Sequence, residues 1–388
     1  MSEFKLHDFC TPFNKDSINL PLVHNKEDLM FAHILFHTDN AKSDYLKNSD
    51  IAIIGVPEER NSENKGCSAA PDRIREELYK LYAPSKIKIT DLGNLKKGKN
   101  VKDTYFALTE VVFECFKNET AVIIIGGSND LIAPICTAYA QGKKQFNLCV
   151  IDSVFNLDDN PELISSQNYL SYILNKNKNI FSYTNIGYQT YYNSSEEINF
   201  IKSNFEAVRL GIARTDLFGN EPFIRDADFV CVNGRSIKMT DAPANIKPSV
   251  HGFYGEEICQ LAKYAGISDN VSAFGLFDIN PKYDKRNQTA ALGAQIIWHF
   301  LESFYQRKGE NDKNIIKKYK KYIVNIDDVS EKLVFYKSQK TDRWWVEVPY
   351  HIKDKEKVYL LSCTKDDYIK AGNNEIPERW WNFFQKLN

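Results

Sequence analysis

The chain has 388 residues, of which 43% are hydrophobic and 26% charged, so it can bury one large core or two modest ones and is not a disordered scaffold. Its 50 basic and 51 acidic residues leave a net charge of −1, which excludes a protein whose overall field would collect nucleic acid or an anionic membrane. The first residues, MSEFKLHDFC, lack the pattern of a secretion signal, and no stretch has the roughly 18 apolar residues of a membrane span, so we expect a cytoplasmic protein. The eight cysteines are scattered without a C-x-x-C pair, and we expect them to be reduced core residues.

Residues 1–48 form a mixed N-terminal segment, in which KEDLMFAHILFHTD predicts one amphipathic helix. His33 and His37 lie four residues apart there, a spacing that metal sites also use. Since no recognisable carboxylate partner accompanies them, we interpret both as packing residues.

From residue 51 onward, segments typical of buried strands alternate with segments of helical periodicity. The predicted strands are IAIIGVP, AVIIIGG, FNLCVIDSV, IFSYTNIGY, DADFVCVNG and VSAFGLFDIN. The predicted helices include APDRIREELYKLY, VKDTYFALTEVVFECF, LIAPICTAYAQG, EEINFIKSNF, GEEICQLAKYAG and TAALGAQIIWHFLESFYQ. Continuously apolar strands that alternate with helices predict a three-layer α/β sandwich over residues 49–306, with a central, mainly parallel sheet covered on both faces.

Polar residues follow four of these strands, in GGSND, IDSVFN, CVNGRS and FDINP. Ligands of parallel sheets bind beyond the carboxyl ends of strands, so these residues should converge on one rim. We expect a pocket there, to which the four motifs contribute Ser128, Asn129, Asp152, Asn156, Asn233, Arg235 and Asp278. Asp130 is interpreted as a cap at the start of the helix LIAPICTAYA, and Asp241 is a further nearby carboxylate.

Residues 307–388 have a different character and are predicted to be a C-terminal extension. RKGENDKNIIKKYKKY indicates a solvated helix face or linker, and too few of its basic residues cluster for us to expect nucleic-acid binding. The tetrads DRWW and ERWW carry too much apolar area to remain in water. The extension should therefore pack on the main domain or on a neighbouring subunit.

The order of the strand-end motifs resembles that of the ureohydrolase family, which comprises arginase, agmatinase and formimidoylglutamase. GVPEE and GCSAAPDRIREEL are similar to the family's early strand, loop and helix, and DLGN, DINPKYD and TAALGAQII also match. The resemblance covers residues 50 to 305 and implies an arginase-like fold that assembles as trimers or hexamers. In that family two manganese ions activate a water that attacks a guanidinium or formimino carbon, releasing urea or formamide.

The family's metal ligands, which lie in GGDHS, DAHxD and SxDxDxxDP motifs, are mostly replaced here. Ser128 and Asn129 stand at the first Asp-His pair, Asp152 is retained, and Val154 and Asn156 stand at the next two ligands. Asn233 and Arg235 are placed at the aspartates of the third motif, whose final Asp-Pro has become Asp241-Ala242-Pro243 with a shifted spacing. One ligand of six therefore remains.

Charge decides what this loss means. Two divalent ions carry four positive charges, whereas one carboxylate remains and an arginine points toward the site. At about 4 Å and an effective dielectric near 20, a metal ion repels that arginine by several kcal/mol per unit charge of the ion. We therefore expect no catalytic residues, no metal and no cofactor. The first hypothesis is a non-catalytic binding or assembly protein, homo-oligomeric, whose rim holds a small polar ligand or only internal hydrogen bonds.

The alternative hypothesis is an active hydrolase of linear amidines with a rearranged manganese centre. Two further residues bear on it. His251, in the loop SVHGFYGEE, could approach the rim, although an ordinary loop or interface histidine is the simpler interpretation. Asp278 matches the family's substrate-facing glutamate, where it could pair with a cationic ligand or serve in structural hydrogen bonding.

Overall fold

The computed structural model describes residues 4–38, 43–84, 88–142, 145–158, 163–310, 312–327, 332–352 and 355–388. Within them, the chain forms a large sheet with helices and a smaller C-terminal sheet. The strands of the large sheet are β1 (Cys10–Thr11), β2 (Ile34–Phe36), β3 (Ile51–Val56), β4 (Ile89–Leu95), β5 (Ala121–Gly126), β6 (Phe146–Ile151), β7 (Ile180–Tyr188), β8 (Glu206–Arg209), β9 (Phe229–Asn233) and β10 (Ala273–Phe277). The α-helices up to residue 304 are α1 (Leu6–Phe9), α2 (Met30–His33), α3 (Ala70–Leu78), α4 (Val101–Lys117), α5 (Ile132–Gly142), α6 (Tyr169–Lys176), α7 (Ser195–Asn204), α8 (Leu210–Thr215), α9 (Glu221–Arg225), α10 (Gly255–Ile267) and α11 (Gln288–Phe304).

The large sheet has the strand order β1-β4-β3-β5-β10-β9-β6-β7-β8, and β2 also pairs with β4. Every pairing is parallel except the one between β1 and β4. Its central strands are buried on both faces, as the continuous apolar runs predict. Helices α3, α10 and α11 pack on one face and α4, α5 and α6 on the other. The predicted three-layer sandwich with a mainly parallel sheet is therefore confirmed.

The N-terminal segment differs from its prediction. Instead of one amphipathic helix, α2 ends at His33 and the chain continues as β2, which pairs in parallel with Ile89–Asp91 of β4. The backbone N–H of His37 then donates to the carbonyl of Asp91 at 2.9 Å. The edge of the sheet offers this segment a row of hydrogen bonds, and tertiary pairing overrides the local helical periodicity.

One of the family-like motifs has a clear structural role. Arg75, on α3, is completely buried and donates from its guanidinium to both oxygens of Asp91 at 2.8 and 2.9 Å. It also donates to the Asn94 side chain at 2.8 Å and to the Gly93 carbonyl at 2.9 Å. The Ile-Arg pair and the DLGN motif therefore hold a helix against a strand and do not contribute to the rim.

The extension forms a second, antiparallel sheet that packs against the main domain. It contains α12 (Lys313–Ile316), β11 (Lys320–Val324), β12 (Leu333–Lys337), β13 (Trp344–Ile352), β14 (Lys355–Cys363), α13 (Lys365–Gly372) and α14 (Glu378–Leu387), with the strand order β11-β12-β13-β14. The lysine-rich passage, predicted as a solvated helix face or linker, instead becomes the short α12 and the edge strand β11. Three of the four tryptophans in the two tetrads pack with the new sheet, Trp344 and Trp380 in one apolar cluster and Trp345 in another, whereas Trp381 is 38% exposed.

Buried charges join the extension to the main domain. Arg379 on α14, with 9% of its side chain exposed, pairs at 2.9 Å with Glu206 and at 2.9 Å with Asp226. From the main domain, Arg225 donates to the carbonyls of Trp344 and Cys363 at 3.1 and 3.3 Å. Because removing one partner of a buried ion pair is costly, these contacts hold the extension in place.

The cysteines lie in the core, as expected from the sequence. All eight cysteines are buried and unpaired. No helix within the described ranges combines the length and apolar character needed to cross a bilayer.

Candidate functional site

Four strands that end at the same edge of the sheet present the polar residues predicted from the sequence. In sheet order they are β5, β10, β9 and β6, so their carboxyl ends are neighbours. The turn after β5 is tight, since a Cβ on Gly127 would lie 2.0 Å from the carbonyl oxygen of Glu58. The residue at that position must be glycine for the two chain segments to approach so closely.

The centre of the rim is an ion pair between β9 and β6. Arg235, which follows β9, donates from Nε to Asp152 Oδ1 at 2.8 Å and from Nη2 to Asp152 Oδ2 at 2.9 Å. The Asp152 side chain is fully buried, whereas 22% of the Arg235 side chain is exposed. Burial by itself lowers the pKa of Arg235, but the adjacent carboxylate outweighs that effect and raises it. This arginine is therefore a permanent cation that neutralises Asp152.

Asn156 completes the cluster. Its Nδ2 donates to Asp152 Oδ2 at 3.1 Å and to the Val154 carbonyl at 3.2 Å, and its Oδ1 accepts a hydrogen bond from Arg235 Nη2. Its backbone has φ 59°, a left-handed conformation that asparagine tolerates better than most residues. Both ends of the amide are used, so Asn156 links the carboxylate and the guanidinium.

Asn233 and Asn129 keep unused hydrogen-bonding groups in the interior. Asn233 Oδ1 accepts from the backbone N–H of Arg235 at 3.0 Å, but its Nδ2 has no protein partner in the described ranges. Asn129 is 1% exposed, and within the same part of the chain neither end of its amide has a protein partner. Unpaired buried amides cost free energy, so water or a small polar molecule is the natural complement of these atoms.

Asp278, at the end of β10, is held by two asparagines. Asn64 Nδ2 donates to Asp278 Oδ1 at 3.0 Å, and Asn245 Nδ2 donates to Oδ2 at 3.3 Å. Burial raises the pKa of Asp278 to about 6, although Arg235 and the two amides act in the opposite direction. The contacts of Asp278 are therefore those of a carboxyl in structural hydrogen bonding. Its carboxyl also lies close enough to Arg235 for the two charges to interact.

The interpretation of Asp130 as a helix cap is wrong. Ser128 is the residue that precedes the helical turn at Asn129–Leu131, while Asp130 is fully buried and accepts hydrogen bonds from the hydroxyls of Ser128 and Tyr105. Burial raises the pKa of Asp130 and outweighs the two hydroxyl donors, which lower it. Ser128 therefore supports a buried carboxyl and does not present its own hydroxyl at the rim.

The other two candidates lie elsewhere. His251 is exposed and lines a separate open cavity with Gln189 and Tyr191, beyond the ends of β7 and β8. Asp241 accepts the backbone N–H of Gly255 at 2.8 Å, at the start of α10. Neither residue contacts the cluster of Arg235 and Asp152.

Asn64, Asn245 and Tyr105 were missed in the sequence because they belong to loops and to a helix surface without a recognisable motif. Asn64 lies 214 residues from Asp278, and Tyr105 lies 25 residues from Asp130. The one available signal was chemical: a carboxylate at the end of a buried strand requires donors, and these must come from the facing loops.

Comparison with known proteins identifies relatives of this chain. The sequence model of the arginase family matches residues 49–302. Formimidoylglutamase from Staphylococcus haemolyticus is 25% identical over 268 residues, which cover 65% of this chain and 85% of that protein. The enzyme of that name from Staphylococcus aureus strain MRSA252 is 23% identical over 274 residues, covering 66% and 86%.

Solved structures show the same fold at lower identity. Formimidoylglutamase from Bacillus subtilis superposes with a TM-score of 0.64 at 18% identity, covering 79% of this chain and 95% of that one. Trypanosoma cruzi formiminoglutamase with Mn²⁺ superposes with a TM-score of 0.63 at 18% identity, covering 69% and 97%. The resemblance identified in the sequence is thereby confirmed.

The residues at this rim do not fit a binuclear manganese centre. Within the described ranges, no three histidines, cysteines, aspartates or glutamates are grouped so as to hold a metal ion. Both oxygens of Asp152 are engaged by a guanidinium, and Val154 has no donor atom in its side chain. A hard divalent ion beside Asp152 would have to displace Arg235 and would then be contacted by that carboxylate and by neutral amides.

Proposed function

Because the chain belongs to the arginase family, we propose that it is a ureohydrolase-fold protein that has lost binuclear manganese binding and acts as a non-catalytic binding or assembly protein. One observation supports this most directly, namely the two hydrogen bonds between Arg235 and both oxygens of Asp152. The arginine supplies one positive charge for the one negative charge of Asp152, so this pair is neutral without any ion.

The guanidinium of Arg235 opposes the entry of a divalent ion. A divalent ion about 4 Å from a guanidinium is opposed by roughly 8 kcal/mol at an effective dielectric near 20, because each unit of charge contributes roughly 4 kcal/mol. A single carboxylate at the same distance returns an equal amount and leaves no net attraction. Asn129, Asn156 and Asn233 add neutral oxygen donors, which do not offset the remaining charge of a second ion.

The alternative is an active metal-dependent hydrolase of linear amidines, of formimidoylglutamase, arginase or agmatinase type, that releases formamide or urea with manganese. It is supported by the names of the relatives, which are formimidoylglutamases at 23–25% identity. It requires Arg235 to leave Asp152 and other ligands to enter the rim.

Metal analysis and an activity assay decide between the two. The protein is incubated with manganese and freed of loosely bound ions, and its metal content is measured together with urea and formamide release from arginine, agmatine and formimino-glutamate. We expect far less than one manganese per chain and no product above that formed with the Asp152→Asn variant. Two ions per chain, with product formation that Asp152→Asn abolishes and the control Asp8→Asn preserves, would establish the alternative; Asp8 is 61% exposed.

We also propose that the protein is a cytoplasmic homo-oligomer. Eight unpaired cysteines are compatible with a reducing compartment. Tyr191 and Ile212 are 61% and 66% exposed and line one open cavity, which gives the main domain an apolar surface for association. Ile212→Lys should shift the mass measured by light scattering toward the monomer, whereas Leu22→Lys, at a residue 98% exposed, should not; an unchanged mass for Ile212→Lys would place the contact elsewhere.

The unused amides of Asn129 and Asn233 support a further part of this proposal, a small polar ligand at the rim. They can donate and accept without a net charge, which favours a neutral molecule. Neither nucleic acid nor a membrane is proposed as a partner, because the overall charge of −1 provides no attraction for either.

A further inference from the structure

A large cleft lies where the extension meets the main domain, at the edge of the sheet opposite the rim. Its volume is about 730 Å³. The main domain contributes Phe146 and Phe181, at the beginnings of β6 and β7, and the extension contributes Trp345, Tyr359 and Leu360. Since the rim follows the ends of the strands, this cleft is a separate site that exists only because of the extension.

Aromatic rings form one wall of the cleft. The rings of Phe181 and Tyr359 are 5.2 Å apart between centroids, and Tyr359 also stacks on Phe383 at 5.7 Å. Tyr350, half-buried on β13, adds a further ring to the lining. Such a surface favours a flat apolar group, which can stack or pack edge-on against the rings.

Two lysines stand over these rings. Lys313 Nζ is 5.7 Å from the centroid of Tyr359, and Lys386 Nζ is 5.0 Å from that of Phe181. Lys386 also donates to the carbonyl of Phe181. Among the described residues neither ammonium forms an ion pair with a carboxylate, so both charges remain available to a ligand.

The carboxylates of the cleft are already engaged. Asp226 accepts from Arg379 at 2.9 Å, and Glu310 accepts from Ser338 and Tyr319 at 2.5 and 2.8 Å. Asp228 accepts the backbone N–H of Asn147 at 2.8 Å. Asp226 is paired with Arg379, and Arg343 lies 3.8 Å from Glu310, so the two lysines are the charged groups of the lining that keep N–H donors open to an incoming molecule.

We propose that this cleft binds a small molecule in which a planar ring is joined to an anionic group, a carboxylate or a phosphate. The ring packs against Phe181, Tyr350 and Tyr359, and the anion is held by Lys313 and Lys386. The cleft has room for a ligand as large as a nucleotide, since small-molecule sites commonly span roughly 300–1,000 Å³. This site goes beyond the function proposed for the rim. If no such ligand binds in the cleft, the proposal that the rim binds no manganese is unaffected.

Calorimetric titration of the full chain tests the proposal. AMP and indole-3-acetate each combine a ring with an anion, one as phosphate and the other as carboxylate, while adenosine and inorganic phosphate each supply one half. We expect at least one of the first two to bind roughly tenfold more tightly than adenosine or phosphate alone.

The Lys313→Gln/Lys386→Gln variant should weaken that binding at least tenfold, and Lys317→Gln/Lys318→Gln, which removes two exposed lysines outside the lining, should leave it unchanged. Lys313 is exposed and can be replaced without disturbing packing, so Lys313→Gln alone should still weaken binding severalfold if the double variant is unstable. The proposal is overturned if neither ring-bearing anion binds at millimolar concentration, if adenosine binds as tightly as AMP and indole-3-acetate, or if the lysine variants bind like the wild type.

Discussion

Replacing Arg235 with glutamine should destabilise the protein although the residue lies at a surface rim. Glutamine removes both hydrogen bonds to Asp152 and leaves a fully buried carboxylate with the Asn156 amide at 3.1 Å and the Val154 N–H at 3.3 Å. Removing one partner of a buried ion pair typically costs about 3–5 kcal/mol. Because 22% of the Arg235 side chain is exposed, water can enter the vacated space, and we expect a loss of about 2–3 kcal/mol.

The two partners of this pair should respond unequally. Asp152→Asn leaves an arginine that can turn toward solvent, so its cost should be only about 1 kcal/mol. In the double variant Asp152→Asn/Arg235→Gln neither charge of this pair remains buried, and stability should recover by at least about 1 kcal/mol relative to Arg235→Gln.

Denaturant unfolding of the four proteins at neutral pH measures these differences, and the melting temperature of Arg235→Gln should fall by several degrees. The opposite results are that Arg235→Gln is as stable as the wild type, or that the effects of the two single changes on the free energy of unfolding simply add. Either result would mean that the arginine does not neutralise a buried carboxylate, and the case against a metal at this position would weaken with it.

Three further changes test other parts of the structure. Asn156→Asp should lower the melting temperature at neutral pH, since it places a second carboxylate beside Asp152. The difference in melting temperature from the wild type should shrink as the pH falls and the carboxyls become protonated. An unchanged melting temperature at neutral pH would show that the two carboxylates do not repel each other appreciably. The folded-state pKa of Asp278, about 6, lies above the ordinary value of 3.8, so its contribution to stability is most favourable at low pH. That contribution should decline by about 2 kcal/mol as the pH rises from 4 to 6, and Asp278→Asn should abolish the decline in paired unfolding measurements. Arg379→Gln leaves two buried carboxylates without their cation, so it should cost about 3 kcal/mol of stability and speed proteolysis of the extension. The control Arg73→Gln, at a side chain 53% exposed, should change stability by less than about 0.5 kcal/mol. Equal effects of the two changes would show that the buried pairs do not hold the extension.

The architecture of the main domain could be predicted from the amino-acid sequence alone. Runs such as AVIIIGG and FNLCVIDSV are apolar on both sides of the strand, which only a sheet covered on two faces can bury, and the helices between them have matching apolar stripes. The same pattern placed Asn129, Asp152, Asn233 and Asp278 at strand ends, because the carboxyl ends of parallel strands meet at one edge. Periodicity carries this information since it depends on neighbours only a few residues apart.

Contacts between distant residues were decided by the tertiary structure. Arg235 and Asp152 are 83 residues apart, and nothing local indicates that their side chains meet with both hydrogen bonds formed. Strand β2 forms in place of a predicted helix because β4 supplies its backbone hydrogen-bond partners. The Asp130 side chain accepts hydrogen bonds from the Ser128 and Tyr105 hydroxyls, and these long-range and local donors were not evident in the sequence. Local preferences differ by about 1 kcal/mol or less, whereas an unpaired buried charge or backbone group costs several times as much, so the folded chain satisfies its buried polar groups first.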